Sequence, residues 1–234
     1  DKPVPYLSMP SEDNPALGLR GLRVGLAWPE LLGAQLRAII RVRPAGQARI
    51  LLPMVTSVGE LRAVRAIVVE LAAQLGAAAP QVGVMVETPA AAVTADLLAA
   101  EADFVSVGTN DLAQYALAMD RTNPRFAAEV DALHPAVLRL IRDASTGAAR
   151  RGRPLAVCGS VASDIAAAPI LIGLGAVELS ASPSVVPELK AAIRALTLAQ
   201  CRELAARAVD LASAAEVRAL ELVPARRTLE EGRS

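Results

Sequence analysis

Phe104-Val105-Ser106-Val107-Gly108-Thr109-Asn110-Asp111-Leu112-Ala113-Gln114-Tyr115 changes character twice. Phe104–Val107 is a short apolar run rich in β-branched residues, which reads as a buried strand. Gly108–Asp111 is polar, and the residues from Leu112 onward have helical spacing. The same sequence of strand, polar turn and helix repeats on both sides. Further strands are expected at Leu22–Leu26, Arg49–Leu52, Val82–Val86, Leu155–Cys158 and Val177–Ser180. Between them Leu32, Leu36, Ile39 and Ile40 share one helical face, as do Val64, Ile67, Val68, Leu71 and Leu75. Ser57 with Glu60 forms a capping-box pattern. Thr88-Pro89 and Ser182-Pro183 each read as an N-cap followed by proline at the first helical position. Helices are expected near Gln200–Ala208 and Ala214–Leu222 without an intervening strand.

Continuously apolar strands that alternate with helices imply an α/β fold, a parallel sheet covered by helices. Six strand–helix units suit an open doubly wound sheet or an incomplete eight-stranded TIM-type barrel, and the pattern alone does not choose between them. Apolar residues make up 53 % of the 234-residue chain and aromatics 2 %, so the core has to be aliphatic. The 24 basic and 24 acidic residues balance, which gives no sign of a nucleic-acid or membrane partner. No apolar run reaches the roughly 20 residues needed to span a bilayer, and Asp1–Pro5 lacks the apolar run of a signal peptide. Cys158 and Cys201 have no metal-type spacing and fit free thiols in a reducing cytoplasm. One domain is expected over residues 1–223, followed by a charged, disordered tail over residues 224–234.

The polar residues that follow the strands carry the chemistry, because the carboxyl ends of parallel strands line the active sites of such folds. Glu87 and Asp111 follow consecutive strands and can converge. Two hard carboxylates suit Mg2+ on a phosphate substrate; the alternative is that each caps a helix or pairs with an arginine. Arg20 and Arg121 are candidate anion clamps, against the alternative of solvated surface arginines. Asn110 could donate its amide to a substrate or cap a helix over Leu112–Ala118. Cys158 could be a small buried hydrophobe or a protonated thiol acting as general acid. His134, the single histidine, precedes Pro135 and reads as a capping or surface residue.

The stretch Phe104–Tyr115, continued by Met119-Asp120-Arg121-Thr122-Asn123-Pro124, resembles a signature of the phosphoenolpyruvate-utilising enzymes, in the version found in enzyme I of the bacterial sugar phosphotransferase system. Asn14–Arg23, Gly83–Ala90 and Val157-Cys158-Gly159 agree in order and spacing. The resemblance implies an eight-stranded (β/α) barrel with its site at the C-terminal mouth. It implies that Glu87 and Asp111 are Mg2+ ligands, that Arg20, Asn110 and Arg121 bind phosphoenolpyruvate, and that Cys158 protonates the enolate to give pyruvate. In that family the phosphoryl group passes to a histidine on a separate N-terminal domain and then to the carrier protein HPr; the barrel forms a homodimer. The matching domains of pyruvate phosphate dikinase and phosphoenolpyruvate synthase, or a non-catalytic dimerisation or regulatory fragment, are the competing readings. Asp120–Pro124 favours enzyme I.

Three departures set further expectations. His134 matches no phosphohistidine motif. Two strand–helix units, each ending in a substrate arginine, precede the equivalent of Asp1 in the family, so this chain alone is expected to bind phosphoenolpyruvate weakly or not at all and not to complete phosphotransfer. Ser160 stands where the family usually has a glutamate after Cys-Gly, which removes a negative charge beside Cys158.

Overall fold

The computed structural model describes Leu7 and residues 9–221. The expected tail at residues 224–234 lies outside the described residues. Five parallel strands form one sheet: β1 (Arg49–Leu52), β2 (Gln81–Val86), β3 (Val105–Gly108), β4 (Leu155–Cys158) and β5 (Glu178–Leu179). Their spatial order follows the chain, β1-β2-β3-β4-β5. An open doubly wound sheet reverses its order at a switch point, whereas a (β/α) barrel runs sequentially. The sheet therefore has the order of a barrel segment. Val84 pairs with Val105 and Val107 with Val157, and all four side chains are buried.

Eleven helices lie among the described residues: α1 (Leu22–Ala27), α2 (Pro29–Ile40), α3 (Val58–Gln74), α4 (Pro89–Val93), α5 (Ala95–Glu101), α6 (Thr109–Leu117), α7 (Pro135–Arg150), α8 (Ala168–Gly173), α9 (Val186–Arg194), α10 (Leu198–Ala208) and α11 (Ala214–Arg218). The expected faces pack inward: Leu32, Leu36 and Ile40 on α2, and Val64, Val68 and Leu71 on α3, are buried. The Ser57–Glu60 capping box forms at the start of α3, and Thr88 caps α4 ahead of Pro89. His134 caps α7, its Nδ1 accepting from Ala136 N–H at 3.1 Å. Gly173 allows α8 to lie directly on α10, since a Cβ there would overlap the Cys201 carbonyl.

Two expectations are corrected. Leu22–Leu26 is not a strand but most of α1, so the described residues hold five strands rather than six. A short apolar run fits a helical turn as well as a strand, and here Leu22 and Leu26, one turn apart, both face the core. Ser182 does not cap a helix: α9 starts at Val186 with Pro187 in its first turn. Residues 182–185 form a turn closed by Val185 N–H on the Ser182 carbonyl, and Ser182 N–H is drawn to Ser163 Oγ at 2.9 Å.

Candidate active site

Glu87 directly follows β2 and is 5 % exposed. Its Oε1 accepts from the Met54 N–H at 2.6 Å. Met54 lies in the β1–α3 connection with φ of 59°, a left-handed conformation unusual for a side-chain-bearing residue, and it directs its N–H at the carboxylate. On the other side, Gly108 ends β3; a Cβ there would come within 2.8 Å of Glu87 Oε2. The glycine is what lets the carboxylate lie against the neighbouring strand end. Burial, chiefly, raises the Glu87 pKa to about 6; the Met54 N–H opposes the rise, Asp111 adds to it, and Arg20 and Arg121 oppose it.

Asp111 sits in the first turn of α6, where the helix dipole favours an anion. Its Oδ1 lies 3.0 Å from the Arg20 guanidinium and 3.5 Å from that of Arg121. Arg20 precedes α1 and also donates to the Tyr115 hydroxyl at 2.8 Å. Tyr115 is four residues after Asp111 on the same helix, so the two hold Arg20 from one face, and the Tyr115 hydroxyl in turn donates to the Ala16 carbonyl. Burial works against the Arg20 charge, yet Asp111 and Tyr115 outweigh it and hold the guanidinium above its ordinary range. Arg121 is fixed through its backbone, whose N–H donates to Gln114 Oε1 at 3.1 Å.

Cys158 ends β4, beside β3. The Ser106 hydroxyl donates to its sulfur at 3.5 Å, and the thiol donates to the Val107 carbonyl at 3.3 Å. Burial, with the nearby Glu87 charge adding and Ser106 opposing, pushes the thiol pKa up, so it stays protonated at neutral pH. Both cysteines are free. Asn110 does not take its alternative role as an N-cap. The helix starts one residue earlier, at Thr109 with Gly108 as its cap, because the β3 backbone runs straight into the helix. Asn110 Oδ1 instead accepts from Ser160 N–H at 3.0 Å and from Ser160 Oγ–H at 2.9 Å.

The fold thus gathers Glu87, Asp111, Arg20 and Arg121 at the carboxyl ends of β2 and β3, with Cys158 at the next strand end and Asn110 in the first turn of α6. His134 takes no part. Sequence reading missed Tyr115, Met54 and Gly108; of these only Tyr115, one helical turn beyond Asp111, left a usable signal. Among the described residues no cluster of three or more His, Cys, Asp or Glu side chains is built for a metal. A pair of carboxylates is nevertheless enough for Mg2+, which keeps several waters and takes substrate oxygens. One observation fits such a cation: the charge of Asp111 helps push a buried Glu87 towards its neutral form, a repulsion between carboxylates that a cation would relieve. No helix among the described residues is long and apolar enough to cross a membrane.

Residues 1–198 match the family described as PEP-utilising enzyme, PEP-binding domain. The chain is 49 % identical over 222 residues to a multiphosphoryl transfer protein of Xanthomonas campestris pv. campestris, covering 94 % of this chain and 26 % of that protein. A multiphosphoryl transfer protein of Rhodobacter capsulatus is 48 % identical, with 94 % and 27 % covered. A phosphoenolpyruvate-protein phosphotransferase of Haemophilus influenzae is 41 % identical, with 93 % and 39 % covered. The chain therefore spans about a quarter to two-fifths of the length of these relatives. Among solved structures, a citrate lyase from Burkholderia xenovorans LB400 superposes with a TM-score of 0.54 at 23 % identity, covering 80 % of this chain and 65 % of that one, a likeness of fold alone.

Proposed function

The chain belongs to the PEP-utilising enzyme family, as its PEP-binding domain, and on that premise we propose that it binds phosphoenolpyruvate with Mg2+ and supplies the phosphoryl-donor end of a phosphoenolpyruvate-protein phosphotransferase. The acceptor is a histidine outside this chain, and the phosphoryl group passes from there to a carrier of the HPr type. The observation that carries the reading is that Arg20 and Arg121 both meet Asp111, while Glu87 at the neighbouring strand end lies within the field of all three charges. Glu87 and Asp111 would hold the cation, which would neutralise phosphoryl charge and polarise the leaving oxygen. Arg20 and Arg121 take the substrate's carboxylate and phosphoryl oxygens, a task suited to their planar forks. Asn110 donates to a phosphoryl oxygen.

The bond from phosphorus to the enol oxygen breaks as a nitrogen–phosphorus bond forms on the acceptor histidine. The enol oxygen keeps the electron pair of the broken bond and becomes the enolate of pyruvate. Cys158 gives its proton to carbon three and is reprotonated by solvent. A thiol held protonated by burial suits that role. The test is thermal melting with millimolar phosphoenolpyruvate and Mg2+: the melting temperature should rise, and Glu87→Ala should abolish the rise. A rise that survives Glu87→Ala would refute the reading, and no rise in the unaltered chain would favour a non-catalytic dimerisation or regulatory fragment.

A further inference from the structure

The loop after β4 is stitched to the first turn of α6. Thr109 Oγ1 donates to the Cys158 carbonyl at 2.8 Å, and Asn110 Oδ1 takes both the N–H and the hydroxyl of Ser160. Gly159, between them, has φ of 100°, and a Cβ there would overlap Thr109 Oγ1 and come within 3.0 Å of Asn110 Oδ1. The contact is therefore built for a residue without a side chain at 159, with the donor groups at 160. A backbone N–H only donates, so the end of Asn110 that faces Ser160 has to be its oxygen. That commits the other end, Nδ2 with two N–H donors, away from the loop. Asn110 and Ser160 share the lining of a cleft of about 430 Å3 with Thr109, Arg121 and Thr122.

We propose that Ser160 is a positioning residue: it fixes the amide of Asn110 with oxygen to the loop and nitrogen to the cleft, so that Asn110 donates to a phosphoryl oxygen. The proposal rests on the phosphoenolpyruvate reading of the site and assigns Ser160 a role that needs no charge. Its hydroxyl adds a second hydrogen bond on the amide oxygen to the one its backbone supplies; the backbone N–H, which cannot accept, is what opposes the flipped amide.

The test is a double-mutant cycle on phosphoenolpyruvate affinity with Mg2+ present, read by calorimetry. Ser160→Ala keeps the backbone donor and loses the hydroxyl, so affinity should fall about five- to tenfold, the worth of one net hydrogen bond. Ser160→Thr should restore it. In an Asn110→Ala background Ser160→Ala should cost nothing more; an equal further loss would mean that Ser160 merely holds the loop and would overturn the proposal, as would full affinity in Ser160→Ala itself. A second readout needs no ligand: the side-chain 15N order parameter of Asn110 should drop in Ser160→Ala. If the unaltered chain fails to bind phosphoenolpyruvate, the functional reading falls. The orientation is then decided by the order parameter alone, and an unchanged value refutes it.

Discussion

Glu87 shows how a single residue can be costly to the fold at the place where the site is proposed. Its pKa is raised from the ordinary 4.5 to about 6, so between those values the folded chain binds a proton that the unfolded chain has released. Stability without a cation therefore declines as pH rises through that window and stays lower above it. The shift from 4.5 to about 6 corresponds to about 2 kcal/mol. Glu87→Gln keeps an oxygen for the Met54 N–H, so in EDTA at pH 7 it should be more stable than the parent by about that amount, and urea unfolding across pH 4 to 7 would show the parent's decline vanish; an equal or lower stability for the variant contradicts the burial argument. Cys158 yields a second residue-scale expectation. In a Cys201→Ser background its alkylation by iodoacetamide should show a pH midpoint above that of a cysteine in an unstructured peptide, because burial holds the thiol protonated. A midpoint below it would remove the case for Cys158 as a proton donor. Glu87, Asp111, Arg20, Arg121 and Cys158 were legible because each falls at or near a strand end, or within a motif. Tyr115 lies one helical turn beyond Asp111, a spacing that marks the residue, but its bond to Arg20 joins residues 95 apart in sequence, and no local pattern encodes that contact.

Among the elements, α11 is held by charge as well as by its buried Val217. Arg218 donates from Nε at 2.6 Å and from NH2 at 2.9 Å to Asp131, and from NH1 at 2.9 Å to Asp164. Asp164 closes the short 3-10 turn that begins at Ser160, so the clamp braces the loop carrying Ser160 from behind. Burial works to raise the Asp131 pKa, but Arg218 and the Leu133 N–H outweigh it and hold the carboxyl below its ordinary range. A lowered value means a contribution that is complete above pH 3.8 and fades as pH falls through the folded-state value. Arg218 is about half exposed, so solvent screens the clamp. Arg218→Ala should cost about 1 kcal/mol and speed amide hydrogen exchange in α11, while α3 exchanges as before. Unchanged α11 exchange would show that packing alone holds the helix. The misread α1 belongs at this scale too. Leu22–Leu26 is apolar enough for a strand, and only its packing, with Leu22 and Leu26 on one buried face, makes it a helical turn.

For the molecule as a whole, the sequence made the class of fold plain and left the topology open. The bounds of β1 and β4 coincide with the apolar runs read for them, and β2 and β3 differ at their ends by a residue, because an apolar run closed by a polar turn is a local signal. The choice between an open sheet and a barrel segment rests on which strands pair across the molecule, and the sequential order β1-β2-β3-β4-β5 decides it. That order brings the ends of β2 and β3 side by side, where the proposed cation would be shared by Glu87 and Asp111. Electron paramagnetic resonance of Mn2+, standing in for Mg2+, titrated in the presence of phosphoenolpyruvate measures that sharing directly. The unaltered chain should take up Mn2+ in a ternary complex, and Glu87→Gln and Asp111→Asn should each release it; undiminished Mn2+ uptake in either variant would mean that the two carboxylates do not share a metal.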